Sequence, residues 1–224
     1  MNTEVNPGNL SLFEEIPQTR IEAKKEAHIF LGSKWGCQTG LIQVLWIRGD
    51  LAVRTSCVKD MAFIDKVQKD NSFAVGFIQK SVWEKYVFGG ERNFIVLICE
   101  KNSDPVGYVL ITPGKGVGSH AKIQQIAVRN DARRLDYGTA LLIVGQDFCE
   151  DFGRRGFTLR CRIDLESNLF WEALGFEKYG IWEKGKANHV GMIASNDINL
   201  WRIELNEKQG RLIFPISNSP EARP

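Results

Sequence analysis

Histidine is scarce in this chain, and nothing groups the metal-binding side chains. The three histidines, His28, His120 and His189, lie far apart, and no Cys-x-x-Cys pair accompanies them. That pattern argues against a metal centre, which needs several ligands at short, regular spacing. Cysteine is limited to five, an odd number with no framework spacing, so free thiols in a reducing cytoplasm are expected. Cys57, Cys99 and Cys161 each sit in a strand-like apolar run, where cysteine behaves as a small buried hydrophobe, and no base can be placed beside any of them. Long apolar runs are missing too, and the first residues, Met1 to Pro7, show no signal-peptide pattern, so no membrane partner is expected. Neither charge sign dominates: 29 Lys and Arg against 27 Asp and Glu give +2, so a nucleic-acid partner would need a local basic surface.

What is present suits one globular core. With 224 residues, 43% hydrophobic and 25% charged, the chain is long enough for a good-sized core and short for two full domains. Residues 1–20 and 215–224 are polar and proline-bearing and read as tails. Between them the periodicity predicts a helix over Ile21–Leu31, strands over Leu41–Ile47 and Leu51–Cys57, and helices over Asp60–Gln68 and Ser81–Phe88. Strands follow over Asn93–Glu100 and Val106–Thr112, joined by a turn through Lys101 to Pro105. A link over Gly114–Gly118 leads into a further strand. After it come a helix from Gly138 to Gly153, a strand over Phe157–Ile163, another helix, and strands over Ile181–Trp182 and Ile198–Leu205. Strands alternating with helices from Leu51 onward indicate an α/β domain with a mixed sheet.

The most informative stretch is Ser119 to Leu142. Its first half alternates polar and apolar residues as a strand does, and its second half opens an amphipathic helix. Between them lies a short basic turn, Arg133-Arg134-Leu135-Asp136-Tyr137-Gly138. A strand that feeds a helix N-terminus through such a turn brings free N–H groups, the positive end of the helix dipole and two arginines to one point. That combination receives a di-anion, most simply a pyrophosphate; it also suits an ordinary strand-to-helix turn.

The run from Val128 to Leu142 resembles motif A of the GNAT superfamily of acyl-CoA-dependent N-acyltransferases, whose signature Gln/Arg-x-x-Gly-x-Gly/Ala falls on Arg133 to Gly138. A second stretch, from Asp164 through Ser167, Asn168, Phe170 and Trp171 to Gly175 and Phe176, is similar to the family's motif B, Asn-x-x-Ala-x-x-Phe-Tyr-x-x-x-Gly-Phe. The resemblance covers roughly residues 51–206. It implies a mixed, mostly antiparallel central sheet flanked by helices, organised as an extension over 1–46, a domain over 47–206 and a tail over 207–224. It implies an N-acetyltransferase that moves an acetyl group from acetyl-CoA to a primary amine by direct attack on the thioester. Acetyl-CoA would be a cosubstrate, with no metal. The acceptor would be a small-molecule or protein amine, and a homodimeric state is left open. Two rival readings remain: a CoA-binding regulatory module without chemistry, and a nucleic-acid-associated acyltransferase.

Site residues follow from the same resemblance. Backbone groups of Ile126, Ala127 and Val128 would hold the acyl group and the pantetheine arm. The turn Arg133, Arg134, Leu135, Asp136, Tyr137 and Gly138, with Thr139, would wrap the pyrophosphate, and Asn168 or the aligned Asp164 would touch the cofactor arm. Gly138 would omit a Cβ that otherwise keeps phosphate away. Asp136 stands where the family prefers its first glycine; its carboxylate either points outward or pairs with Arg134, or else it opposes phosphate and caps the helix itself. Trp171 replaces the family's proton-donating tyrosine, leaving Tyr137 and Tyr179 nearby. On the acceptor side, His120, Lys122 and Gln124 share a face of the motif A strand. Acetylation needs a neutral amine, and histidine, with a reference pKa near ~6.5, is the side chain suited to take the proton. His120 is therefore the expected base, together with the backbone of Ile126, against the plainer reading of a solvated histidine at a loop end. Lys122, Gln124 and Arg162 are expected at the substrate. Arg160 and Arg162 face one side of their strand, near Arg154 and Arg155, and either pair with carboxylates on neighbouring strands or line a groove for an acidic or nucleic substrate.

Overall fold

The computed structural model describes residues 44–88, 94–112, 114, 118–188 and 194–205. The expected helix over Ile21–Leu31 and the expected tail over 207–224 therefore fall outside them. Eight strands form one sheet: β1 (Val44–Arg48), β2 (Leu51–Thr55), β3 (Ile95–Lys101), β4 (Asp104–Thr112), β5 (Ala121–Val128), β6 (Gly156–Arg162), β7 (Glu177–Trp182) and β8 (Ile198–Glu204). Their order is β1-β2-β3-β4-β5-β6-β8-β7. Every neighbouring pair is antiparallel except β5 and β6, which run parallel because a helix connects them.

Two apolar layers hold the sheet between helices. On one face, α4 (Tyr137–Asp151) and α5 (Ser167–Ala173) bury Leu141, Leu142, Val144, Phe148 and Trp171 against Val109, Ile111, Ile123, Phe157 and Leu159. On the other, α1 (Met61–Asp70) and α3 (Lys80–Phe88) set Ile64, Val67 and Trp83 against Ile98, Tyr108 and Leu110. Gly145 lets α4 lie close to the sheet, since a Cβ there would stand 2.8 Å from Ile111 Cδ1.

Three details differ from expectation. The β3–β4 hairpin turns on Asn102 and Ser103 alone, both at positive φ, so the strands begin at Asp104 and end at Lys101. A two-residue turn with positive φ at both positions matches the strand twist, which a turn of the opposite hand would splay. A short helix α2 (Ser72–Val75) follows α1, anchored by Gln68, whose amide bonds Ile78 N and O at 2.8 and 2.9 Å. A buried ion cluster ties β2 to α1: Arg54 donates to both Asp60 carboxylate oxygens at 2.7 and 2.8 Å and to Glu100 Oε1 at 2.7 Å. Asp60 also accepts from the Cys57 N–H at 2.7 Å, which fixes where α1 starts. No described helix is long and apolar enough to cross a membrane.

Candidate active site

The site is built on β5. Ala121 and Ile123 point into the core beneath α4. The register with β4 then slips between Leu110↔Gln125 and Ile111↔Ile123, which leaves Gln124 as an unpaired extra residue. This bulge reverses the alternation. Beyond it Ile126 and Val128 pack on the α4 side, while Gln125 and Ala127 turn to the α1 side. Gln125 is fixed there by the Tyr108 hydroxyl at 3.1 Å and by its own bond to Val75 O at 3.0 Å.

β5 pairs with β6 only at Ala121↔Phe157 and Lys122↔Thr158. From Ile123 to Val128 no described strand covers that edge of β5, although the strand lies in the middle of the sheet. Backbone N–H and C=O groups cannot be left without partners at such a position, so the opening is suited to an extended ligand that completes the ladder.

At the far end of β5 the chain enters the basic turn. Arg129 anchors its start through ion pairs to Asp104 at 2.7 Å and Asp131 at 3.1 Å. Arg134 and Asp136 both adopt positive φ, 64° and 60°. That conformation explains the family's preference for glycine at the position of Asp136, and aspartate is among the side chains that tolerate it. Asp136 makes no side-chain cap bond to α4; only its carbonyl enters the helix, accepting from Ala140 N at 2.9 Å. The first-turn N–H groups of α4, which a helix cannot satisfy internally, are thus not taken by Asp136. Arg133 donates to Asn71 Oδ1, which joins the turn to the end of α1, and Arg134 and Leu135 are exposed. Tyr137 and Thr139 are buried, so what they can offer a ligand is backbone.

Several expectations are corrected here. The space in front of Gly138 is filled by protein: a Cβ there would lie 3.2 Å from Phe170 Cζ and 3.9 Å from Ile126 Cδ1, so the glycine serves the packing of α4 on α5. Asn168 is spent within the fold. Its Nδ2 donates to Arg162 O at 2.7 Å and Leu165 O at 2.8 Å, and its Oδ1 accepts from Asn199 and Trp201, each at 3.0 Å. With its amide fully used, Asn168 clips α5 to β6 and β8 and has no capacity left for a cofactor arm. Trp171 is 4% exposed and T-stacked on Phe170 and Phe176, a core residue. Tyr137 belongs to the same core and cannot deliver a proton to the opening.

The acceptor face also changes. His120 precedes β5, at the end where β5 and β6 are still joined, with Nε2 2.8 Å from Glu204 Oε1. It lies six residues, about 20 Å of extended strand, from Ile126, beyond the reach of a base acting there. Glu204 also faces Arg155 at 3.6 Å and Arg202 at 3.5 Å, so His120 belongs to a structural charge cluster. Replacing His120 by alanine is therefore expected to leave the pH–rate profile of any acyl transfer superimposable on the parent's, and a profile depressed below neutral pH would restore it as the base. Arg162 does pair with a carboxylate, though with Asp164 two residues along its own chain, donating from Nε at 3.0 Å and Nη2 at 2.5 Å. Those bonds from Arg162 hold the Asp164 carboxyl below its ordinary range. Its remaining Nη1 donates to Phe73 O at 3.2 Å, with the guanidinium 4.1 Å from the Phe73 ring, so Arg162 straps β6 to α2. Gln124, at the bulge, donates to Thr112 Oγ1 at 2.9 Å. Lys122 is held below the ordinary lysine pKa, first by desolvation and then by the neighbouring charge of Arg160. Cys57, Cys99, Cys149 and Cys161 are buried free thiols, and burial pushes Cys99 up to about 12, which leaves it inert as a nucleophile.

The sequence pattern missed the contributions of Asn71, Phe73 and the bulge at Gln124. A cluster of three or more metal-binding side chains is not found among the described residues.

Solved structures share this architecture. The ribosomal-protein-S18-alanine N-acetyltransferase of Escherichia coli superposes with a TM-score of 0.53 at 19% identity, covering 77% of this chain and 98% of that one. The Salmonella typhimurium acetyl transferase that modifies the N-terminal serine of ribosomal protein L7/L12 gives 0.60 at 14% identity, over 73% and 100% of the two chains. A putative acetyltransferase from Salmonella typhimurium, solved with its cofactor acetyl-CoA, gives 0.55 at 15% identity, over 78% and 100%. A search of curated proteins finds no match in sequence. The model of the Acetyltransferase (GNAT) family matches residues 57–176, more than half of the chain and the whole path from α1 through the opening to the end of α5. The chain belongs to the GNAT acetyltransferase family.

Proposed function

We propose that this acyltransferase moves an acetyl group from acetyl-CoA to a primary amine, in a domain spanning residues 47–206 with an extension over 1–46 and a tail over 207–224. The observation that carries the proposal is the opening between β5 and β6, in the strand–turn–helix unit whose helix α4 takes no side-chain cap from Asp136. Acetyl-CoA supplies an activated acyl thioester. The exposed edge of β5 from Ile123 to Val128 holds the acyl and pantetheine portion by backbone hydrogen bonds. The N–H groups of Tyr137, Gly138 and Thr139, with Arg133 and Arg134, hold the pyrophosphate. No side chain at the motif B tyrosine position donates a proton, because Trp171 is in the core. Rate enhancement then rests on positioning and on polarisation by backbone N–H groups at the bulge. The four buried free thiols suit a reducing compartment such as the cytoplasm.

Trp171 also favours a second reading, a module that binds CoA without turning it over. Free-thiol release across an amine panel separates the two, and binding without release from any amine would leave the module.

Asp136→Gly is expected to tighten acetyl-CoA binding by about tenfold, since a like charge near the pyrophosphate costs on the order of 1–4 kcal/mol before screening at an effective dielectric near 20. The same change relieves a positive φ that favours glycine, so the variant should also melt slightly higher. A calorimetric titration of both proteins decides, and weaker binding by the variant would show that the carboxylate builds the ligand-binding form of the turn.

A further inference from the structure

The sheet face that carries Lys122 shows a regular sequence of charges. At its closed end Glu204 balances His120, Arg155 and Arg202. At its outer end Asp164 balances Arg162. Between them lie Lys122 on β5 and Arg160 on β6, two residues beyond Thr158, the partner of Lys122. Both point away from the α4 core, because Ala121, Ile123, Leu159 and Cys161 on either side of them point into it. Among the described residues no carboxylate pairs with either one. Arg160 lies 4.8 Å from the Trp182 ring instead, with its planar fork held against an aromatic wall. Thr112, the β4 neighbour of Lys122, and Gln124 add neutral polar groups on the same face.

Half-buried Lys122 and exposed Arg160 repel each other, and the pair spans the point where β5 and β6 part. We infer that Lys122 and Arg160 form an oxyanion-binding subsite and that the acceptor amine carries a carboxylate or phosphate held there. This deepens the proposed acetyl transfer, on which the word acceptor rests. The burial and mutual repulsion that hold Lys122 below its ordinary value would be offset by a bound anion. Binding should accordingly weaken as pH rises through the titration of Lys122, with Arg155, Arg160, Arg162, Arg202, the His120 imidazole and the Glu204 and Asp164 carboxylates as the charged and titratable groups on the same face.

The test uses the full chain and three probes: 4-aminobutanoate, its neutral amide and inorganic phosphate. The Lys122 side-chain resonance, assigned with Lys122→Met, is titrated by NMR with each probe, and affinities are measured for the parent and Arg160→Gln. The expected result is that 4-aminobutanoate and phosphate bind about tenfold or more tightly than the amide and raise the Lys122 midpoint, whereas the amide does not. In Arg160→Gln the preference for acid over amide should fall to within about twofold of unity, and Arg160→Lys should recover part of it. Phosphate binding without a preference for the acid over the amide would mean an adventitious ion only and overturn the subsite. Equal binding of all three probes, or an unmoved Lys122 midpoint, would overturn it as well. Adding acetyl-CoA in a parallel arm keeps the two claims apart: absence of acetyl-CoA binding would remove the acyl-transfer reading, while the anion titration still judges the subsite.

Discussion

Reversing the charge of the turn before α4, with Arg133→Glu and Arg134→Glu together, is expected to weaken acetyl-CoA binding by about 100-fold or more. Each arginine near a pyrophosphate contributes roughly 2 kcal/mol at a distance of about 8 Å and an effective dielectric near 20, before salt screens part of it. Reversal removes both attractions and installs two repulsions at the positive end of the α4 dipole. The fold should tolerate the change, because both side chains are exposed and Arg133 gives up a single contact, with Asn71. Calorimetric titrations at low and high salt read the effect, which should shrink as salt rises. A loss smaller than about threefold at low salt would place the pyrophosphate away from this turn.

Asp60→Ala is expected to cost about 3–5 kcal/mol of stability, the usual result of breaking a buried ion pair from one side. Arg54 is 5% exposed and Asp60 3%, so the variant takes two bonds from a buried guanidinium that keeps only Glu100 and the Thr55 carbonyl, and it also leaves the Cys57 N–H without its acceptor. At about 2–4 °C per kcal/mol for a chain of this size, the melting temperature should fall by about 10 °C. Burial alone would raise the Asp60 pKa; the bonds from Arg54 and the Cys57 N–H, with the Arg54 charge, reverse this and hold it below the ordinary carboxylate range. A lowered folded-state pKa gives stability that is complete above the ordinary range and is lost as pH falls through the lowered value. The parent should therefore show an acid limb in its melting temperature that is reduced in Asp60→Ala. Equal melting temperatures at neutral pH would mean that water replaces the carboxylate at no cost.

The strand, basic turn and helix from Ser119 to Leu142 were legible because periodicity and a two-arginine turn are local properties. The same holds for the motif B helix and for most strand positions. What stayed hidden depends on partners distant in sequence. The bulge at Gln124 exists only through register with β4, and it decides that Ile126 and Gln125 face opposite layers. His120 read as a base because its partner Glu204 lies 84 residues away. Asn168 read as a cofactor contact because its acceptors and donors come from β6 and β8. Arg162 with Asp164 is the converse case, a local pair two residues apart whose carboxylate was already visible. The positive φ at Asp136 explains the departure from glycine in conformational terms, where composition alone showed only an unfavourable charge.

Amide hydrogen exchange with and without acetyl-CoA tests the central claim most directly, that the ligand lies along the open edge of β5 and ends on the first turn of α4. Protection should rise by about tenfold or more, as bound amides close against solvent, within Ile123–Val128 and across Arg133–Thr139. Amides of β1 and β2, remote in the sheet order, should not change. Binding of acetyl-CoA that leaves both of the first two segments unprotected would contradict the account.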